Sequence, residues 1–237
     1  MNSMQIRRAE DRGQANFGWL DSRHSFSFGH YYDPANMGFG PLRVINEDRV
    51  KGGGGFEPHG HQSMEIISYV LDGSLNHQDS MGNGSTIVPG DVQRMSAGTG
   101  VRHSEMNGSA SDDVHFLQIW IEPRASGGPP SYEQRHFDLD AELGQWQLLA
   151  SGFADDDAVY VNQDVRIYGA RVEPGQTLEQ IQKAGRRYWL QVVAGELSIA
   201  GEALRAGDGV AFKPAADDLV SIEVASAADV LWFDLPL

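Results

Sequence analysis

Residues 70–75 read Val-Leu-Asp-Gly-Ser-Leu, and residues 192–197 read Val-Val-Ala-Gly-Glu-Leu. The central glycines of the two segments are separated by 122 residues, and so are two upstream glycines, Gly53 and Gly175. Glycine matches alone would be weak evidence in a chain with 28 glycines. The matched strand-like sequence around them nevertheless indicates an internal duplication.

Short strands separated by turns dominate the sequence. Segments such as Glu65–Leu71, Val114–Ile121 and Tyr188–Val193 are rich in β-branched and aromatic residues and are bounded by turn residues. A helical pattern is weak everywhere except at Thr177–Ala184, and that run is short. Closure protects the edges of many short strands, so we predict an all-β protein with two antiparallel β-barrels of the jelly-roll type, related by duplication.

The boundary between the two copies is expected within residues 124–135. Residues 126–130 read Ser-Gly-Gly-Pro-Pro, which is typical of a linker. We therefore predict an N-terminal domain over residues 1–125 and a C-terminal domain over residues 136–237.

Composition limits the possible functions. The net charge of −15 argues against nucleic-acid binding, because that affinity depends on Lys and Arg neutralising phosphates. Cysteine is absent, which excludes thiolate metal sites and disulfides. We found no apolar run long enough for a membrane span and no signal-peptide pattern, so the expectation is a cytoplasmic protein without membrane contact.

Two pairs of residues have the spacing of metal ligands. His59 and His61 are two positions apart, as are His103 and Glu105. Alternation along a strand directs both members of each pair to one face. Two such strands side by side would place three imidazoles and one carboxylate around a point, a donor set that suits several transition metals.

Alternation alone does not decide which carboxylate completes this set. Glu65 lies four residues after His61 and has the same parity, so it competes with Glu105. The duplication limits the chain to one site of this kind. The offset maps His59 and His61 onto Ile181 and Lys183, and no histidine follows His136.

Two spaced motifs resemble those of the cupin superfamily. The glycine that precedes the first histidine pair in cupins is present in this chain, as are the glycines that precede the second ligand strand. Two positions depart from the pattern: Gly73 falls one place late, and Ser96 stands where many cupins have proline. The motifs are Gly53-x5-His59-x-His61-x3-Glu65 and Gly90-x7-Gly98-x4-His103-x3-Asn107.

Three longer segments are more specific. Residues 18–28, 37–46 and 91–105 resemble the pirin family, with the nearest likeness to bacterial pirin-like proteins described as quercetin 2,3-dioxygenases. The resemblance is dense over residues 10–125 and weaker, though collinear, towards the C-terminus. It implies a bicupin fold.

The resemblance also implies the ligand set and a function. In that family the metal is held by the HxH pair with the later His and Glu, which carries over to His59, His61, His103 and Glu105 and places Glu65 beside the ligands. We expect one divalent transition metal per chain, with Fe(II) as first choice and Mn, Ni, Cu, Co or Zn as alternatives.

The implied activity is cleavage of flavonols such as quercetin with O₂ and release of CO, with Glu105 as the catalytic base. Separately, we expect the protein to be a monomer. The alternative is a metal- or redox-responsive regulatory protein that acts through protein partners. A metal-dependent isomerase or hydrolase is a third interpretation, because a fold does not fix a function.

Some other residues carry expectations of their own. His24 and His30 flank an aromatic stretch that we expect in the core, with a pocket wall as the alternative. His77 is a candidate neighbour of the metal site. The five tryptophans are expected in the core and not as stacking surfaces.

Overall fold

The computed structural model describes residues 3–237 and consists almost entirely of β-strands. Within those residues there is one 3₁₀ turn, Ala9–Asp11, and no α-helix. Nor does the described chain contain a helix with the length and apolar character needed to cross a membrane.

The strands are numbered in chain order. The first twelve are β1 (Ser3–Arg7), β2 (Gly13–Asn16), β3 (Leu20–His24), β4 (Leu42–Val50), β5 (Gly55–His61), β6 (Glu65–Asp72), β7 (Leu75–Asp79), β8 (Gly84–Ile87), β9 (Asp91–Ser96), β10 (Val101–Asn107), β11 (Val114–Ile121) and β12 (Ser131–His136). The other ten are β13 (Gln147–Ser151), β14 (Val159–Tyr160), β15 (Arg166–Val172), β16 (Thr177–Gln182), β17 (Arg186–Ala194), β18 (Glu196–Ile199), β19 (Glu202–Arg205), β20 (Gly209–Lys213), β21 (Asp218–Val224) and β22 (Ala228–Pro236).

Each half of the chain forms one seven-stranded and one four-stranded sheet. In the N-terminal half the orders are β12-β9-β6-β11-β4-β3-β2 and β5-β10-β7-β8. In the C-terminal half they are β1-β20-β17-β22-β15-β13-β14 and β16-β21-β18-β19. The two sets correspond except at one outer edge, where β2 pairs antiparallel with β3 and β14 pairs parallel with β13. The predicted duplicated, all-β bicupin fold is confirmed.

Turn geometry repeats together with the sheets. Gly53 and Gly73 have φ angles of 72° and 78°, and their counterparts Gly175 and Gly195 have 81° and 82°. Glycine is favoured in this left-handed region because it has no Cβ. The four matched glycines thus mark the same turns in both copies.

The two halves exchange their outermost strands. β1, at the start of the chain, pairs with β20 of the C-terminal half, whereas β12 pairs with β9 of the N-terminal half. Each added strand covers an edge that would otherwise expose unpaired backbone groups. The domain boundaries 1–125 and 136–237 stay a prediction, but a cut at those positions would separate both exchanged strands from their sheets.

The short helical pattern at Thr177–Ala184 does not correspond to a helix in the structure. Thr177–Gln182 is strand β16, paired along its length with β21. Leu178 and Gln182 are buried while Ile181 is 59% exposed. Pairing with a distant strand outweighs the helix propensity of this short segment, as tertiary context often does.

The core has three main parts. One fills the N-terminal barrel and includes Val70 and Phe116, and a second fills the C-terminal barrel around Trp232. The third is shared by both halves and includes Ile67 and Phe233. The large sheets therefore pack against each other as well as against their own small sheets.

The strand exchange yields a prediction for a chain divided in the loop at Gly127–Gly128. Fragments 1–127 and 128–237 should each lose an edge strand and fold poorly alone, yet associate into a 1:1 complex when mixed. Size-exclusion chromatography and circular dichroism of the separate and mixed fragments would check this. Two fragments that are each stable as monomers and do not associate when mixed would contradict it.

Candidate metal centre

Strands β5 and β10 bring three histidines together. His59 and His61 lie on β5, and His103 lies directly opposite His59 on β10. The ring centroids of His59 and His103 are 4.5 Å apart, and the His61 ring is 4.8 Å from the first and 4.9 Å from the second. The spacing of two therefore does place these side chains on one face, as the sequence predicts.

The nitrogens of this group suit a metal ion. His103 is buried, and both of its ring nitrogens lack a hydrogen-bond partner among the described residues. The His59 Nδ1 lies 2.8 Å from the carbonyl oxygen of Glu57. If Nδ1 donates that bond, Nε2 is left with a free lone pair, the tautomer that metal-binding histidines commonly use.

Burial also keeps two of these imidazoles neutral. Desolvation, followed by the neighbouring His59, lowers the pKa of His61 to about 4 and that of His103 to about 3. A neutral imidazole is the form that binds a metal. The three rings are thus a group able to hold a metal ion.

Glu105 lies two residues beyond His103, across an irregularity in the register of β10 and β5. Its carboxyl oxygens accept hydrogen bonds from the Ser68 hydroxyl at 3.0 Å and the Gln118 amide at 2.7 Å. Burial nevertheless raises the pKa of Glu105 to about 7, and the nearby charge of Asp48 acts in the same direction.

His77, which the sequence offers only as a candidate neighbour of the site, lies on the neighbouring strand β7 beside the candidate ligands. It is buried, its ring centroid is 5.4 Å from that of His103, and its Nε2 is 3.2 Å from a carboxylate oxygen of Asp79. His77, His103 and Glu105 form a second group with close donor atoms, which shares His103 with the histidine triad. The predicted ligand set of His59, His61, His103 and Glu105 spans both groups and stays a prediction.

The expectation that Glu65 lies beside the ligands is wrong. Its carboxylate accepts hydrogen bonds from Ser96 at 2.7 Å and from the backbone N–H of Asn162 in the other half at 3.2 Å. Because Ser68 points inward to Glu105, alternation directs Glu65 to the opposite face of β6. The turn after His61, in which Ser63 has a φ of 51°, separates two strands of different sheets and breaks the parity.

The other half lacks a comparable group among the residues that the structure describes. Ile181, at the position of His59, is largely exposed, and Lys183, at that of His61, forms an ion pair of 2.8 Å with Asp217. The duplicated fold therefore carries candidate ligands in its N-terminal half alone within residues 3–237.

A cavity of about 670 Å³ opens beside the triad. His59, His61 and Glu105 line it together with four large aromatic side chains and several polar ones. The aromatic residues are Trp19, Phe28, Phe56 and Trp120.

The expectation that all tryptophans belong to the core is therefore wrong for Trp19, which is 36% exposed, whereas Trp120 packs against the core and also lines the cavity. Trp120 contacts the ring of His61 edge-on, with the centroids 4.9 Å apart. The aromatic stretch that follows Trp19 in the sequence was one indication that this part of the chain could line a pocket. Gln118 and Ser68 carried no signal, because their role depends on a contact between two sheets.

Two family models match the chain. Residues 5–121 match the family described as Pirin, and residues 148–235 match the quercetinase C-terminal cupin domain. A protein of Escherichia coli strain K12 named quercetin 2,3-dioxygenase is 48% identical over 232 residues, with 98% of each chain covered. A pirin-like protein of Caulobacter vibrioides is 42% identical over 223 residues, covering 94% of this chain and 95% of that one.

Solved structures agree with these matches. Bacterial pirin YhhW from Escherichia coli in complex with nickel(II) is similar with a TM-score of 0.92 and 44% identity, and 99% of each chain is covered. A second structure of YhhW has a TM-score of 0.93 and 45% identity, covering 99% of this chain and 98% of that one.

The two overlapping groups make different predictions for matched substitutions. We expect His61→Gln to abolish stoichiometric metal binding, because it removes a ligand of the triad, whereas His77→Gln should retain it. Elemental analysis and calorimetric titration with Ni²⁺ on both variants would check this. The reverse pattern would place the ion in the group of His77, His103 and Glu105.

Proposed function

The chain belongs to the pirin family, and from this premise we propose that it is a metal-dependent dioxygenase that opens the central ring of flavonols such as quercetin, with consumption of O₂ and release of CO. One observation carries the proposal: two histidines of the triad and Glu105 line a single cavity with aromatic walls. Such a cavity suits a flat aromatic molecule. The activity named for the Escherichia coli relative supports the same substrate class.

We assign the metal to His59, His61, His103 and Glu105. A divalent metal held there would supply a Lewis acid with open positions for the 3-oxygen of a flavonol and for O₂. Nickel in the YhhW structure supports a divalent ion. Fe(II) stays the prediction for the native metal.

Glu105 is the proposed base that takes the proton of the flavonol 3-hydroxyl. Its pKa of about 7 in the metal-free protein, due first to burial, shows an environment that tolerates a protonated carboxyl group. The hydrogen bonds from Ser68 and Gln118 leave lone pairs on both carboxyl oxygens, so the group stays oriented and still able to accept a proton.

The aromatic walls have two roles in this proposal. Trp19 and Phe56 pack edge to face with centroids 5.3 Å apart, and Phe28 and Trp120 do the same at 5.3 Å. These paired rings would restrict the orientation of a planar substrate and keep water from the electron-rich flavonolate.

Glu105→Gln tests the base. Glutamine is nearly isosteric and its carbonyl oxygen can still face the metal, but it cannot take up the proton in the same way. We expect the variant to retain part of its metal and to lose quercetin turnover by about 10²–10⁴-fold. Metal content, O₂ uptake and CO release should be measured on the same preparations.

Glu65→Gln is the matched control, since Glu65 faces the other half and not the cavity. It should keep metal and turnover close to those of the unaltered protein. If Glu105→Gln were fully metallated and as active as the unaltered protein, the assigned base would be wrong. Absence of O₂ uptake by the metallated, unaltered protein with quercetin would contradict the proposed function itself.

A further inference from the structure

A row of buried polar side chains crosses the large sheet beneath the metal centre. Its members are neighbours in the strand register, from β3 through β4, β11 and β6 to β9, and so point to the same face. All are buried. They are His24, Asn46, Gln118, Ser68 and Gln93.

In the C-terminal barrel the corresponding row consists of aliphatic and aromatic residues. The same register there runs through Leu148, Tyr168, Trp232, Leu190 and Val210. Trp232, Leu190 and Val210 are completely buried in the core of that barrel. The fold itself therefore does not require polar residues at these positions, and their presence in the metal-bearing half calls for a separate reason.

For two members of the row, the reason is a contact with Glu105. Ser68 and Gln118 donate hydrogen bonds to Glu105. Asn46 makes no such contact, and neither does Asp48, which follows two residues later on the same face of β4. Both are 3% exposed, both line the cavity, and each has an Oδ1 atom without a hydrogen-bond partner in the described chain.

The Asp48 carboxyl group is held by hydrogen-bonded side chains of the neighbouring strand β3. His24 Nε2 lies 2.8 Å from the Ser22 hydroxyl, and Ser22 in turn hydrogen-bonds to the Asp48 carboxyl group. Burial raises the pKa of Asp48 to about 7 in spite of that bond. A buried carboxyl group that is held in place but left partly unpaired is costly unless a ligand completes its hydrogen bonds.

We propose that Asn46 and Asp48 form a hydroxyl-binding end of the cavity, which recognises phenolic hydroxyl groups on an aromatic ligand and so determines specificity. The inference rests on the proposed function, since it names the part of the ligand that this end of the cavity selects. Unpaired oxygen acceptors favour a ligand with a hydrogen-bond donor, and the aromatic walls around them favour an aromatic ring that carries this donor. A phenol combines both.

The test compares two flavonols that share the metal-chelating group. Quercetin carries four hydroxyls in addition to its 3-hydroxyl, whereas 3-hydroxyflavone carries none. Calorimetric titration of the Ni²⁺-loaded protein without O₂ gives both affinities. We expect the unaltered protein to prefer quercetin by about tenfold or more, as the loss of a hydrogen bond in a buried site predicts.

Asn46→Leu and Asp48→Leu should each bring the ratio of the two affinities close to one, with metal content unchanged. Gln93→Leu is the matched control. Gln93 belongs to the same polar row, is equally buried and also has an unpaired side-chain oxygen, but it does not line the cavity. The quercetin preference should survive in that variant.

The outcomes separate this inference from the proposed function. Equal affinities in the unaltered protein, or an undiminished preference in Asp48→Leu, would overturn the inference even if quercetin were oxidised in air. A clear preference without O₂ uptake in air would support the inference and overturn the dioxygenase proposal. Failure to bind either flavonol would overturn both.

Discussion

The buried carboxyl group of Glu105 depends on two donors that reach it from the facing sheet. Ser68 on β6 and Gln118 on β11 hold its two oxygens, and this contact fixes β10 of the small sheet against the large one. His103 on the same strand is thereby positioned opposite His59. Without those donors a carboxyl group at this depth would lack partners, which costs about 1–3 kcal/mol or more for a charged group. The candidate metal centre is therefore a consequence of how two sheets are joined.

Duplication explains why this arrangement occurs once. Both barrels have the same strand order, so the backbone offers the same positions twice. In the N-terminal barrel those positions hold Ser68 and Gln118, and in the other they hold Leu190 and Trp232. Leu190 and Trp232 are completely buried in the core of the second barrel. The same strand arrangement therefore encloses a cavity with polar groups in the N-terminal copy and a packed core in the C-terminal copy.

Part of this structure could be predicted from the sequence because it depends on local spacing. The repeat at 122 residues predicted the duplicated sheets, and the spacing of two placed His59 and His61 on one face. The same rule failed for Glu65, because a turn with a left-handed residue intervenes and starts a strand of another sheet. The strand exchange and the contacts of Glu105 could not be predicted, since they join segments far apart in the chain and no local pattern encodes them.

Why the chain retains a barrel without metal ligands follows from the two faces of β6. Its inner face carries Ser68, which holds Glu105, and its outer face carries Ile67 and Tyr69, which belong to the core shared by both halves. The Tyr69 hydroxyl also donates a hydrogen bond to Asp229 of the second barrel, at 3.2 Å. The second barrel therefore packs against the back of the strand that carries Ser68, the donor to the proposed base. The second barrel thus supports the site through the back of the sheet that forms its floor.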